Sequence, residues 1–540
     1  MCARINATLT FQAPQMEVST MKVTTMDYAA TGAFSQTITD YLCRSEKLRP
    51  FYNHFPTPEA FEKQIQEKQF TPEQRQVLHA SLQRQYRSVA EIHPQVKQHL
   101  DLLLQPNTFT ITTGHQLNIF TGPLYFVYKI VTVINMCKQL QEKYPAYNFV
   151  PVYWMATEDH DFPEINHFSL FGKKYTWETD QKGAVGRFST QGLEQVLEQM
   201  PEQYPVFEAA YRNSNTLADA TRFITHALFG AYGLVSVDGD DAGLKKALAP
   251  VIRQELIENI SNKLVEESSK QLEELGYKPQ VYSREINLFY LQEGLRERIV
   301  QEGEKYRVLN TDISFTPQEI LQLAEQHPEQ FSPNVILRPL YEELILPNLA
   351  YIGGGAEVAY WFQLKKVFDA CQVAFPILVP RNSALYINRG NASRMQKLGL
   401  QPQELFKDYQ ELKKYLSAQL HEEEITLEAQ RNAVATAFAE VEKLAQEIEP
   451  TLTKTVGAEA QKAANALQML EKKISKARDN KHEQTFKQLE NLKDKLFPNG
   501  SLQERQDNLL TYQTNNPDFI PALVEAFKPF ELKFTILEEA

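Results

Sequence analysis

Residues Thr108 to Lys129 constrain the fold of this chain more than any other stretch. Thr108 to Thr113 is a run of β-branched and aromatic residues, which reads as a strand; Gly114 follows as a tight turn, and Gly122-Pro123 opens a segment whose apolar residues recur at helical spacing to about Gln141. A second apolar run, Asn148 to Ala156, completes strand, helix, strand. Such a unit is a right-handed crossover in a parallel sheet, and ligands in these sheets gather at the carboxyl ends of the strands. Two motifs fall at such ends, Thr113-Gly114-His115-Gln116 and Thr157-Glu158-Asp159-His160-Asp161. A phosphate or carboxylate suits the helix start near Gly122, where free N–H groups and the helix dipole favour an anion. The alternative is an ordinary strand-to-helix turn.

The remaining chain divides by pattern. Residues 1–20 are polar and poorly patterned and read as an extension before a domain start at Met21; residues 21–105 read as a helical lead-in, with Pro58 and Pro72 at helix starts. The core is expected over 106–402, with inserted segments at about 168–220 and 276–330. Within it, Leu234 to Val237 is a third strand ending in Asp238-Gly239-Asp240-Asp241, and Ala242 to Leu275 is helical. Ordered structure resumes at Asn334 to Leu346, and Tyr351 to Glu357 is a strand and glycine turn leading into a helix. Val373 to Val379 is apolar throughout, as in a strand buried on both faces. From 403 to 498 the chain is rich in Glu, Lys, Gln, Ala and Leu. Val434, Phe438, Val441, Ala445, Ile448 and Leu452, then Ala460, Ala463, Leu467, Leu470, Ile474 and Ala477, step by threes and fours as a coiled-coil seam. Pro450 breaks it, so two antiparallel helices are expected, the second of about 45 residues and about 65 Å. Residues 499–540 return to the core and end in a strand near Leu532 to Leu537.

Charge and cysteine usage narrow the function classes. With 56 basic and 68 acidic residues the net charge is −12, which argues against a broad nucleic-acid surface. The four cysteines are scattered and without metal-like spacing, which points to a reducing cytoplasm, and no apolar stretch reaches the roughly 20 residues of a membrane helix. The N-terminus has no secretory pattern.

Several clusters carry candidate chemistry. Glu158, Asp159, His160 and Asp161, with Glu164 and His167 behind them, suit a substrate amine or a divalent metal; a solvated acidic turn is the alternative. Gly353-Gly354-Gly355 before Glu357 lets backbone approach a ligand, or is simply a tight turn. Arg338 and Arg381 each follow an apolar, strand-like run, where a guanidinium forks onto a carboxylate or phosphate, or onto a structural acid. Thr113-Gly114-His115-Gln116 resembles one half of the His-x-Gly-His signature of the nucleotidylyl-transferring superfamily, although only the Gly-His pair is matched. Lys473-Ile474-Ser475-Lys476 resembles the Lys-Met-Ser-Lys loop of class I aminoacyl-tRNA synthetases, but Ile474 falls on the seam, so that likeness is read as incidental.

Together, Thr113 to Gln116 with Phe120 to Tyr125, Glu158 to Phe162 with Glu164 to His167, Ser332 to Pro339, and Glu357-Val358-Ala359-Tyr360-Trp361 resemble the cysteine-adding BshC family of bacillithiol biosynthesis, over nearly the whole chain from Met21. The resemblance implies an α/β Rossmann-like core with inserted connecting segments and a coiled-coil arm used for homodimerisation. It also implies a ligase that joins L-cysteine to the amine of glucosaminyl malate, with ATP, and Mg2+ accompanying it, as cofactor. On that basis Glu158, Asp159, His160 and Asp161 are expected to bind or deprotonate the amine. ATP is expected near Gly114, His115 and Gly122, and the malyl carboxylates at Arg338 or Arg381. Thr113, Gln116, His167, Asn334, Gly353, Gly354, Gly355, Glu357, Tyr360 and Trp361 complete the expected binding set, with no protein-held metal. Family members often carry glutamine at the position of His115, which implies a hydrogen-bonding rather than a proton-transfer role there. The rival readings are a metal-dependent hydrolase using His160, Asp161 and His167, and a non-catalytic dimeric scaffold.

Overall fold

The computed structural model describes residues 21–420 and 426–539, so the expectation for 1–20 lies outside the described residues. The chain forms two compact units, 387–500 and the remainder.

The first unit is built on five parallel strands: β1 (Thr108–His115), β2 (Asn148–Met155), β3 (Val235–Asp238), β4 (Asn348–Gly353) and β5 (Ile377–Pro380). Their order is β5-β4-β1-β2-β3. The strand sequence therefore runs outward in one direction from β1 and in the other from β4, and the crevice beyond the carboxyl ends of β1 and β4 is a topological switch point. All eight residues of β1 and all six of β4 are buried, which the β-branched composition of one and the Leu-Ala-Tyr-Ile run of the other dictate. The buried threonine hydroxyls are satisfied within the sheet: Thr112 donates to Asn348 Oδ1 at 2.8 Å and Thr113 to the Ile352 carbonyl at 2.7 Å.

Helix α1 (Tyr125–Lys143) crosses from β1 to β2 and is buried along most of its length. It begins later than the glycine pattern suggests. Gly114 continues β1, and the chain turns instead at Phe120, Thr121 and Gly122, which have φ of 51°, 67° and 59°. The Asn508 side chain holds this turn by donating to the carbonyls of Phe120 and Gly122, both at 2.7 Å. After β3 the stretch expected to be helical is so, as three helices, α2 (Ala242–Lys245), Ala249–Glu258 and Ile260–Glu274, separated by the 3-10 turn Lys246–Leu248 and by Asn259, whose φ is 50°. The stretch 334–346 is not extended but carries α3 (Arg338–Ile345), so Arg338 opens a helix rather than ending a strand. Helix α4 (Gly355–Trp361) follows β4, and β5 occupies only the end of the apolar run expected as a strand.

Two insertions decorate this core. The first holds the hairpin His167–Leu170 and Lys173–Thr176 and two short helices; the second holds strands Leu288–Gln292, Leu295–Glu302, Lys305–Val308 and Ser314–Phe315, joined by Phe331–Pro333. The lead-in to the core is helical but begins with a strand, Met21–Met26, which pairs antiparallel with Phe534–Glu539.

In the second unit, α5 (Glu428–Ile448) and α6 (Thr453–Leu496) are joined by a short turn at Pro450–Leu452. Arg431 pairs with Glu471 at 2.9 Å across the two helices. Helix Tyr409–Leu420 packs on α6, and Leu412, Leu416, Leu489, Leu492 and Leu496 are buried. Farther along, Val441, Leu444, Ile448, Leu470 and Ile474 are exposed. Lys473 to Lys476 lie inside α6, as regular helix.

Candidate active site

A cavity of about 760 Å³ opens at the switch point, and residues at or just beyond the carboxyl ends of all five core strands line it. Gly114 and His115 come from β1, Met155 to Asp159 from β2, Gly239 from β3, Gly354 to Glu357 from β4 and Arg381 from β5. The second insertion supplies a wall that includes Phe289, Arg296 and Arg298, and the C-terminal segment supplies Arg505.

The floor is cationic and under-bonded. His115 is buried, stacked on Phe126 with ring centroids 5.0 Å apart, and its Nε2 has no hydrogen-bond partner. Burial, with Lys129 and Arg381 nearby, holds its pKa well below the ordinary histidine value, so the ring is neutral. Arg338 NH2 and Arg381 Nε are likewise buried without partners, although each arginine has an acid elsewhere: Arg338 pairs with Glu342 at 2.6 Å and Arg381 with Glu504 at 2.7 Å. A Cβ on Gly114 would stand 3.1 Å from the Tyr351 hydroxyl and 3.6 Å from Arg338 NH1, so only glycine leaves this surface open.

Lys129 joins the two glycine segments. Its ammonium donates to the Gly114 carbonyl at 2.8 Å and pairs with Glu357 at 2.6 Å; Glu357 in turn accepts from the Gly354 N–H at 2.7 Å and the Tyr351 hydroxyl at 3.1 Å. Burial lowers the Lys129 pKa. Burial alone would raise Glu357, but Lys129 and the two hydrogen bonds outweigh it and hold the carboxyl below its usual value.

The opposite side is acidic. Glu158 is buried and ion-paired with Lys245; burial raises its carboxyl above the usual range against the pull of that lysine. Asp159 is held as an acceptor by Gln116 Nε2 at 2.8 Å and by the backbone N–H groups of His160 and Asp161 at 2.7 and 3.3 Å. Two backbone hydrogen bonds from the first insertion fix this loop, Val185 N–H to the Asp159 carbonyl at 2.7 Å and Gly186 N–H to the Thr157 carbonyl at 2.8 Å.

Of the residues expected from sequence, Gly114, His115, Gln116, Glu158, Asp159, Asn334, Arg338, Gly354, Gly355, Glu357, Tyr360 and Arg381 line this cavity together. The others lie outside its lining. Thr113 and Gly122 are held in the structural contacts described above. Gly353 accepts the Arg381 N–H, and Trp361 stacks on Tyr351 at 4.5 Å. His160 turns its Nδ1 to Arg296, 2.6 Å away, and burial with this guanidinium lowers its pKa. Asp161 precedes the short helix Phe162–Ile165, and His167 starts the hairpin with its Nδ1 3.0 Å from Asn166 Oδ1. Among the described residues no three His, Cys, Asp or Glu side chains are gathered to hold a metal ion.

Lys129, Lys245 and Arg296 are central to the site and escaped the sequence reading. Lys129 had a legible signal, since it is the one charged residue in the otherwise apolar or uncharged run Tyr125 to Met136. Arg296 reaches the cavity, and Lys245 the back of its wall through Glu158, only by tertiary packing.

Residues 21–382 match the family model for the N-terminal Rossmann-like domain of bacillithiol biosynthesis BshC, and residues 384–539 match that for its C-terminal coiled-coil domain. A Flavobacterium johnsoniae protein named "Putative cysteine ligase BshC" is 45% identical over 525 residues, covering 95% of this chain and 99% of that protein. A protein of the same name from Cytophaga hutchinsonii is 42% identical over 92% of this chain and 95% of its own length. One from Bacillus cereus is 28% identical over 91% of this chain and 96% of its own length. Among the described residues no helix is long and apolar enough to cross a membrane.

Proposed function

Because the chain belongs to the bacillithiol biosynthesis BshC family, matched over both of its domains, we propose that it joins the carboxyl group of L-cysteine to the amine of glucosaminyl malate, in an ATP-dependent reaction in the cytoplasm. The observation that carries this reading is the division of one cavity into a floor of unpartnered cationic or neutral N–H donors and a wall holding Glu158 and Asp159. The floor suits anions, either carboxylates or phosphates, and the wall suits an amine.

The donor set fits a nucleotide's phosphates: Lys129, Arg338 and Arg381 supply charge, and His115 Nε2 and the glycine-bordered surface leave room for close approach. ATP, when bound, supplies the group that turns a carboxylate into an acylating agent, and Mg2+ would enter with its phosphates. The protein's own residues do the rest. Arg338 and Arg381 orient carboxylates. His115, held neutral, donates a hydrogen bond as negative charge gathers on a carboxyl oxygen. Asp159, fixed by Gln116 and two backbone N–H groups, receives the ammonium, and Glu158 takes the proton that the amine must lose before it attacks.

The exposed apolar side chains Val441, Leu444, Ile448, Leu470 and Ile474 on the arm support a homodimer formed through it, because apolar surface left in water gains by being covered.

The test is incubation of purified protein with ATP, cysteine and glucosaminyl malate. The expected product is the cysteinyl amide, identified by mass, with AMP or ADP formed in equal amount. Restoration of bacillithiol by D159N to wild-type levels, in a strain lacking its own enzyme, would overturn the amine assignment.

A further inference from the structure

Lys245 was no part of the expected site, yet it is fully buried and reaches its wall from behind. It sits at the end of α2, whose start is fixed by Asp241: that carboxylate accepts from Gly243 and Leu244 N–H at 2.9 and 3.0 Å and is itself held by Ser81 and Arg84 at 2.9 and 3.1 Å. The ammonium pairs with Glu158 and donates to the Phe331 carbonyl at 2.5 Å. The Tyr341 ring stands 5.6 Å from its nitrogen. The ammonium is thus held by an acid and a carbonyl, beside an aromatic ring, and these come from the end of β2, the second insertion and α3.

We propose that Lys245 is a positioning residue which, without touching substrate, aims the Glu158 carboxylate into the cavity and keeps it ionised. The inference rests on the reading of Glu158 as the group that meets the amine. A carboxylate as buried as this one takes up a proton readily unless a cation offsets the burial. The other charged or titratable groups around it do not replace Lys245. Asp240, after β3, opposes ionisation; Arg187, which favours it, is committed to Asp240 through two hydrogen bonds of 2.7 and 2.9 Å. Arg296, on strand Leu295–Glu302, also favours ionisation but is occupied by Ser332, His160 and the Pro333 carbonyl. Tyr341, on α3, is held neutral by burial and donates to the Gly239 carbonyl at 2.8 Å.

Titration calorimetry of the whole protein with glucosaminyl malate alone, across about pH 5 to 8.5, provides the test, because it needs no turnover. Affinity should fall on the acid side as Glu158 protonates. In K245M this acid limb should move to higher pH by about 1–3 units, the usual effect of losing one close opposite charge, with affinity recovering at high pH. A uniform loss at every pH, with the limb unmoved, would make Lys245 merely structural and overturn the proposal. If K245M does not fold, the double variant K245M/E158Q decides: recovery of the fold supports a lysine whose task is to offset Glu158, and failure of both overturns it. E158Q alone separates the two claims. If it binds like the wild type with the acid limb intact, the reading of Glu158 at the amine is wrong. If it loses the limb while K245M leaves it unmoved, only the role of Lys245 is wrong.

Discussion

The buried Lys129 and the partly buried Glu357 form a pair that ties α1 to α4, and removing Glu357 leaves the lysine without its acid. K129M is expected to destabilise the first unit by about 3 kcal/mol, and adding E357Q should recover most of that loss; chemical denaturation of the three variants measures it. Asp238 makes a different prediction. Burial and the nearby Asp240 push its carboxyl up to about 6. A carboxyl raised by folding contributes stability that is present below its ordinary pKa and is lost as pH rises through the raised value. Between about pH 4 and 7 the wild type should therefore lose about 2–3 kcal/mol relative to D238N, read as a melting-temperature difference that widens in favour of the variant. Parallel melting curves across this range would contradict the assignment. Asp238, Asp240 and Asp241 look alike as an acidic strand end, yet each has its own partner: Thr157, Arg187 and the start of α2. Residue types alone set the charge of this turn but not its division of labour.

Among the elements, the first insertion acts as a brace. Gly186 lies so close to Thr157 that an added Cβ would stand 2.5 Å from the threonine Cβ and 2.9 Å from its Cα, and Gly183, with φ 88°, abuts the backbone of Gly294 and Leu295 in the second insertion. One segment is thus wedged between the Glu158–Asp159 loop and the far wall. G186A should shift that loop, lowering the rate of the proposed amide formation at least tenfold while costing about 1–3 kcal/mol in stability. Full activity in G186A would show that the loop tolerates displacement. None of this bracing was legible in the sequence, where 168–220 showed only irregular alternation and glycines. The core strands were legible, because β1, β2 and β4 are β-branched or apolar runs long enough to force burial. Their order was not, since neighbours such as β1 and β4 are separated by more than two hundred residues and sequence pattern carries no record of pairing. The helix starts at Tyr125 and Arg338 were misread for a related reason: glycine and proline mark where regular structure can break, and the side chain of Asn508, far along the chain, decides what the broken segment does at Gly122.

For the whole molecule, the exposed seam of the arm predicts assembly. The double substitution L470K/I474K should convert a dimer into a monomer in light scattering while leaving the melting of the first unit unchanged, and a wild-type protein monomeric at micromolar concentration would refute dimerisation through the arm. The three-stranded sheet has a consequence of another kind. Its order places Phe534–Glu539 in the middle, between Met21–Met26 and Ala384–Ile387. The central strand is therefore synthesised after both of its neighbours. Until it is made both outer strands wait without that ladder partner, one of them across more than five hundred residues. Until Phe534–Glu539 emerges the nascent chain carries two open strand edges, the kind of surface through which a folding chain misassembles.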